Sequence, residues 1–333
     1  MDIVISHTSA LRIIRQLGFS VKAREARSTT LPSKMPAEKD LAQLATRFPA
    51  AFDESGHVDL IICEKDAEHT TQRARPHLCT SALPVGALLE LAPGVRCVSP
   101  LLLAPLMSSK LSFLEMNLLL AELFGLYAIR PGTQMGLAQR PRPLITPQRL
   151  EAFLTSLGHA WGTRRTKEAL VTAPVLAASP QEARLYLRVT LPTTKGGYNM
   201  GQVVLNDPVE LRRISQHVRT LQQRKPDLLF LGGTGGVSLD YMGAWHDDAS
   251  AARRDTQRRN ELLAAGFKPY EIYKRDYDNL DYMDGLMQNI RAHLGLPRTK
   301  LNRKRAERQR RARRELYRAL EAIDVTFETP VAS

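Results

Sequence analysis

The chain is poor in cysteine, with only Cys63, Cys79 and Cys97 among 333 residues. A count this low and odd excludes a disulfide framework, and the lack of any Cys-x-x-Cys pair removes the usual zinc spacing. The pattern suits a reducing, cytoplasmic compartment. Long uninterrupted apolar runs are also lacking. The most lipid-like stretch, Leu111 to Ile129, carries Glu115 and Glu122. These are seven apart and share a helix face, which suits an amphipathic core helix better than a membrane span. The opening MDIVISHTSALRIIRQLG mixes His7, Arg12 and Arg15 into its apolar residues and is followed by no small-residue cleavage site, so neither a secretory signal nor membrane association is expected. No internal repeat is visible. The run Gly232-Gly-Thr-Gly-Gly236 lacks the Lys-Ser/Thr of a phosphate-binding loop and reads as a hairpin turn.

What is present is enough for two domains, with 43% hydrophobic and 24% charged residues. The formal net charge is +13 and is concentrated near the end. Between Arg298 and Arg318 stand eleven bases against Glu307 and Glu315. Such a block points to a polyanion, with nucleic acid the commonest, although a solvated helix face that keeps the chain soluble has the same composition.

Helical periodicity marks Leu11, Ile14 and Leu17, then Leu41, Leu44 and Phe48. Val58 to Cys63 reads as a strand, and Ala87–Leu91 with Val95–Ser99 as a hairpin. A helix spans Leu111–Ile129, and the Pro-, Gly- and Arg-rich stretch Pro131–Pro147 reads as a domain boundary. Helices follow near Thr146–Leu157, Arg164–Val171 and from Ser179. The text then turns to strands at Lys225–Leu231, Val237–Met242 and Phe267–Tyr273. A polar helix at about 249–265 and a helix striped by Leu280, Met283, Met287, Ile290 and Leu294 complete it. The expected division is 1–145, a helical start followed by mixed α/β; 146–297, an α/β domain; and 298–333, a basic helical tail that frays in isolation because its charges repel.

Chemistry concentrates between Pro226 and Gly266. Two strands joined by the glycine turn pair as an antiparallel hairpin. A turn centred on Thr234 sets Asp227 opposite Tyr241, and a one-residue shift sets it opposite Asp240. In both registers the carboxylates are close neighbours. At about 4–6 Å they repel unless protonated or bridged by a cation. A hard oxygen-ligand cation such as Mg²⁺ is the natural occupant, and would activate a water and stabilise charge on a scissile phosphate. A pair that is merely solvated is the bland alternative. His57, His69, His77 and His159 show no metal-ligand spacing.

Pro226-Asp227, Asp240-Tyr-Met-Gly243, Trp245-His246, Asp255, Arg259 and Leu262–Phe267 together resemble the PD-(D/E)XK nuclease superfamily, in the branch similar to very-short-patch-repair endonucleases. Ser179-Pro-Gln-Glu182 and Lys195-Gly-Gly-Tyr198 look like the helix and linker that precede that core. Residues 57–127 resemble AbiEi-type antitoxins. The resemblance implies an α/β chain with a restriction-endonuclease-like core, a mixed sheet flanked by helices. It implies Asp227 and Asp240 as metal-binding carboxylates, Glu182 in support, and His246 beside the site on phosphate or in proton transfer. Glu182 also fits a capping box with Ser179, and Asp255 with Arg259 a helix-surface ion pair. Met242 stands where the motif has lysine, leaving His246, Lys268 or Lys274 as substitutes.

Two functions follow. One is a nucleic-acid-directed, Mg²⁺-dependent phosphodiester hydrolase or its degenerate relative. The other is a non-catalytic DNA-binding regulator or antitoxin on the same fold. In both, Arg303, Lys304, Arg305, Arg308, Arg310, Arg311, Arg313 and Arg314 grip backbone phosphates, DNA being the expected partner. A protein-interaction scaffold with an acidic partner needs neither metal nor DNA.

Overall fold

A computed structural model describes residues 2–64, 73–160, 162–207, 209–212, 221–232, 236–242, 259–297 and 302–328. The chain is α/β, with helices and mixed sheets in two compact units, Met1–Ala173 with Asp324–Ser333, and Pro174–Ile323. The division therefore falls near residue 173 rather than 145. The helices at Pro147–Ser156 and Thr163–Leu170 bury Leu150, Phe153, Leu154 and Ala169 in the first unit's core, which moves the boundary past the proline-rich stretch.

The N-terminal unit runs β1 (Ile3–Ile5), α1 (His7–Arg15), β2 (Arg24–Glu25), α2 (Glu38–Arg47), β3 (Val58–Ile62), β4 (Ala74–Leu78), β5 (Leu88–Ala92), β6 (Val95–Val98), α3 (Pro100–Met107) and α4 (Phe113–Leu123). It ends with the β7 (Tyr127–Ile129) and β8 (Leu137–Gln139) ribbon, then α5 (Pro147–Ser156) and α6 (Thr163–Leu170). Its six-stranded sheet has the order β2-β5-β6-β1-β3-β4, with β1 parallel to β6 and β3 parallel to β4. The expected helix over Leu111–Ile129 is shorter. It starts at a Ser112–Glu115 capping box, and the chain turns after Leu123 into β7. Glu115 is thus used in the cap. Glu122 is 2% exposed and forms a two-pronged ion pair with Arg15, at 3.0 Å from Nε and 2.8 Å from Nη2. Its Oε1 also accepts the Ile129 N–H, and Arg15 donates to the Val325 and Thr326 carbonyls.

A second polar cluster lies at the start of α1. Asp59 accepts from Ser9 and stands 2.9 Å from His77 Nε2, while the His7 and His77 rings stack at 3.7 Å. Burial, with the His77 and Lys110 charges, pushes His7 down to about 3 against the opposing pull of Asp59. Burial of Asp59 opposes ionisation, but its His77 hydrogen bond and the charges of His77, Lys110 and His7 outweigh this and hold it at about 2.

The second unit runs α7 (Pro180–Thr190), β9 (Val203–Leu205), β10 (Val209–Arg212), β11 (Leu221–Arg224), β12 (Leu228–Leu231), β13 (Gly236–Met242), β14 (Phe267–Tyr273), α8 (Lys274–Asp278), α9 (Leu280–His293) and α10 (Arg303–Ala322). Residues 259–264 are also helical. The main sheet has the order β14-β13-β12-β9, antiparallel except for β13 with β14, and β10–β11 is a separate ribbon. Leu228, Phe230, Val237, Leu239 and Ile272 are buried along the sheet, as are Met283, Met287 and Ile290 on α9.

The basic helix is no separate tail. Leu316 and Leu320 are buried, and Arg184 on α7 donates to the Leu320 and Ile323 carbonyls, which satisfies the helix end. Arg188 lies over the rings of Tyr277 and Tyr317 at 4.2 and 4.8 Å. Gly196, with φ of 85°, lets the Thr193–Lys195 turn approach α10 so closely that a Cβ would come within 2.3 Å of the Ala312 carbonyl oxygen.

Candidate functional site

The hairpin register puts acid opposite acid. Leu231 pairs with Gly236 and Leu228 with Leu239, so the next pair outward is Asp227 with Asp240. Of the two registers open to the sequence, the one-residue shift is the one formed. Opposed residues of an antiparallel pair project to one face. Two reciprocal bonds close this end of the ladder: the Asp227 N–H donates to Asp240 Oδ1 at 3.1 Å, and the Tyr241 N–H to Asp227 Oδ2 at 2.7 Å. Asp240 is only 7% exposed.

Glu182 joins them from α7. Ser179 caps that helix, its Oγ accepting the Glu182 N–H at 3.1 Å. The carboxylate accepts in return from Ser179 Oγ at 3.0 Å and from the Ala178 N–H at 2.8 Å. Asn206, just past β9, adds a 2.7 Å bond from Nδ2 to Glu182 Oε2, while its own N–H donates to the Pro226 and Asp227 carbonyls. Asn206 thus ties the acid on α7 to the start of β12. Burial pushes Glu182 above the usual carboxylate range. The Ala178, Asn206 and Ser179 bonds oppose that, and the Asp240 charge adds to it. Capping and membership of the acidic group coexist in this one side chain.

The parallel ladder between β13 and β14 sets Glu271 beside Asp240. Sequence reasoning missed Glu271 and Asn206. Glu271 is the single acid of Phe267–Tyr273, but its place beside Asp240 depends on a register that no local pattern reveals. The substitutes for lysine fare differently. Lys268 pairs with Val237, an odd number of residues from Asp240 and so on the other face, with Nζ 5.4 Å from the Tyr270 ring centre. Lys274 pairs with Asp278 at 3.8 Å. Met242 itself is level with Tyr273. His246 and Asp255 lie outside the described residues, and Arg259 is exposed.

Among the described residues, no group of three or more His, Cys, Asp and Glu side chains is arranged to hold a metal ion. The Asp227–Asp240 donor set is all oxygen and of like charge. That fits Mg²⁺, which commonly takes one or two carboxylates and completes its shell with water and substrate phosphate.

Of the eight bases expected to meet phosphate, Arg303, Lys304, Arg305, Arg308, Arg310, Arg311 and Arg314 are exposed along α10. Arg313 instead pairs with Asp284 at 2.9 Å and lies over Tyr198 at 4.5 Å. Arg303 and Arg310 also have ion-pair partners, Glu307 and Asp281. No helix among the described residues is long and apolar enough to cross a membrane. Compared with known proteins, the chain matches no family model, no curated protein and no solved structure.

Proposed function

We propose that the protein acts on nucleic acid, with Asp227 and Asp240 holding a Mg²⁺ ion and the C-terminal unit hydrolysing a phosphodiester bond. The observation that carries this reading is Asp227 opposite Asp240 on a sheet face where the charge of Asp240 also reaches Glu182. When bound, the ion supplies positive charge to a scissile phosphate and acidifies a water. The chain's own residues do the rest. Asp227 and Asp240 hold their carboxylates in place through the reciprocal bonds to the Tyr241 and Asp227 N–H groups. Glu182, its pKa raised chiefly by burial and its carboxylate fixed by Asn206, stands in support of the metal site. His246 moves a proton or contacts phosphate, and the exposed α10 bases grip the backbone without reading sequence. The order of helix, three antiparallel strands, helix and parallel strand supports a restriction-endonuclease-like core.

A DNA-binding regulator or antitoxin on this fold is the second reading. Met242 favours it, because a thioether orients no water and carries no charge. So does the engagement of Glu182 with three donors of its own fold.

Cleavage of supercoiled plasmid with Mg²⁺ or Mn²⁺ separates the two. The comparison is between the wild type, Asp227→Asn and a chelator control. Asparagine keeps an acceptor for the Tyr241 N–H, removes the charge and replaces the other oxygen by an NH2 group. Nicking that is lost in both controls is the expected result. Plasmid that stays intact yet is retarded on a gel would move the conclusion to the regulator.

A further inference from the structure

We infer that the second unit carries a nucleotide-binding cavity, formed by the turn before β9, α9 and the first half of α10. The cavity has a volume of about 750 Å³, which is the size of a small-ligand site. Its lining mixes polar and apolar surface. Arg303 and Arg310 stand at its α10 side seven residues apart, two turns along one helix face, with the small Ala306 between them. Gln288 and Asn289 contribute amides from α9, and Tyr198 contributes a ring.

Two observations point to an anion at the α10 end. The first turn of α10 carries Arg303, Lys304 and Arg305 and no acid, although the helix dipole already makes this end positive. Bound phosphate relieves that repulsion. Arg310 is oriented by Asp281 at 2.6 Å yet remains 47% exposed, so its remaining donors face solvent.

The rest of the lining selects a nucleotide over other anions. Asp284 and Glu307 share the cavity, each paired with one of its arginines, so the lining offers charge for a single phosphate rather than for the row of acids on an acidic peptide. A nucleotide carries its charge at one end and offers neutral donors and acceptors at the other, where Gln288 and Asn289 can pair with a base edge. The ligand is either a free nucleoside 5′-monophosphate or one nucleotide of a strand held out of its stack. The inference does not depend on the Asp227–Asp240 pair.

The test is calorimetric titration of the full chain in EDTA, so that no divalent cation contributes. The titrants are the four nucleoside 5′-monophosphates, inorganic phosphate and a short single-stranded oligonucleotide. The Arg303→Ala/Arg310→Ala variant removes two exposed side chains, and its thermal melt verifies folding. The Arg308→Ala/Arg311→Ala variant removes the same charge outside the cavity lining. A nucleotide that binds more tightly than phosphate, and weakens at least about tenfold more in the first variant than in the second, supports the cavity. The same pattern with the oligonucleotide alone assigns the ligand to a strand. Phosphate binding as tightly as every nucleotide overturns the inference. So does equal weakening in the two variants, or no binding of nucleotide or oligonucleotide.

Discussion

In the N-terminal unit, buried acids face bases: Glu122 grips Arg15 with both oxygens, and Asp59 stands against His77. In the C-terminal unit, Asp240 is buried opposite another aspartate, and its charge adds to the burial that raises the pKa of Glu182. Burying a charge beside its opposite secures a core, because removing either partner strands the other. Gathering like charges is unfavourable for folding, and proteins concentrate such arrangements where ions or protons are handled. The difference fits a structural role for the first pair of acids, and the proposed chemistry rests on the second group.

The largest expected effect breaks the N-terminal side of this contrast. Glu122→Gln keeps the shape but leaves the Arg15 guanidinium buried against a neutral amide. It should lower stability by about 3–5 kcal/mol in urea unfolding. A loss below about 1 kcal/mol would mean that the pair is not buried in solution.

Acid sensitivity comes next. His7 has a folded pKa of about 3, below its ordinary 6.5, so the unfolded chain takes up the proton first. Its contribution is intact above 6.5 and is lost as pH falls towards about 3. Asp59, at about 2 against 3.8, adds a loss in the same direction at lower pH. The free energy of urea unfolding of the wild type should therefore fall between pH 6.5 and 4, by up to about 1 kcal/mol per pH unit. His7→Asn tolerates the positive φ of 47° and should flatten that limb. An unchanged slope would remove His7 from the account.

The smallest effect sharpens the C-terminal side. Glu182 is raised, so its folded form binds the proton more tightly than the unfolded chain, and stability declines as pH climbs through its folded pKa. This is the opposite sign to Asp59. Asp240→Asn removes the like charge and keeps an acceptor for the Asp227 N–H. The Glu182 carboxyl resonance should then titrate at lower pH in carbon-detected NMR. An unmoved titration would show that the two acids do not sense each other.

Much of the secondary structure is legible in local sequence. Ser112, Thr146 and Ser179 are helix caps where a polar residue precedes an apolar period, and glycine-turn hairpins are visible at residues 87–99 and 225–242. β1 is less visible, because three residues merge into the apolar face of α1. What depends on distant pairing is invisible. Arg15 and Glu122 are 107 residues apart, and Glu271 reaches Asp240 only through the parallel register. The packing of α10 is half legible: Leu316 and Leu320 form an i,i+4 apolar pair behind the arginines, but nothing local says that Arg184 and Gly196 receive it. Asp227 and Asp240 are the part of the site that spacing reveals. Their opposition depends on the hairpin register, which the glycines leave open.

The central claim is that the like-charged pair on the β12–β13 hairpin holds a divalent cation. Calorimetric titration of Mg²⁺ into the wild type and into Asp227→Asn tests it most directly, with thermal melts to verify that both are folded. The account predicts saturable binding at one site in the wild type that is lost in the variant. Equal binding by both, or binding by neither, would contradict it.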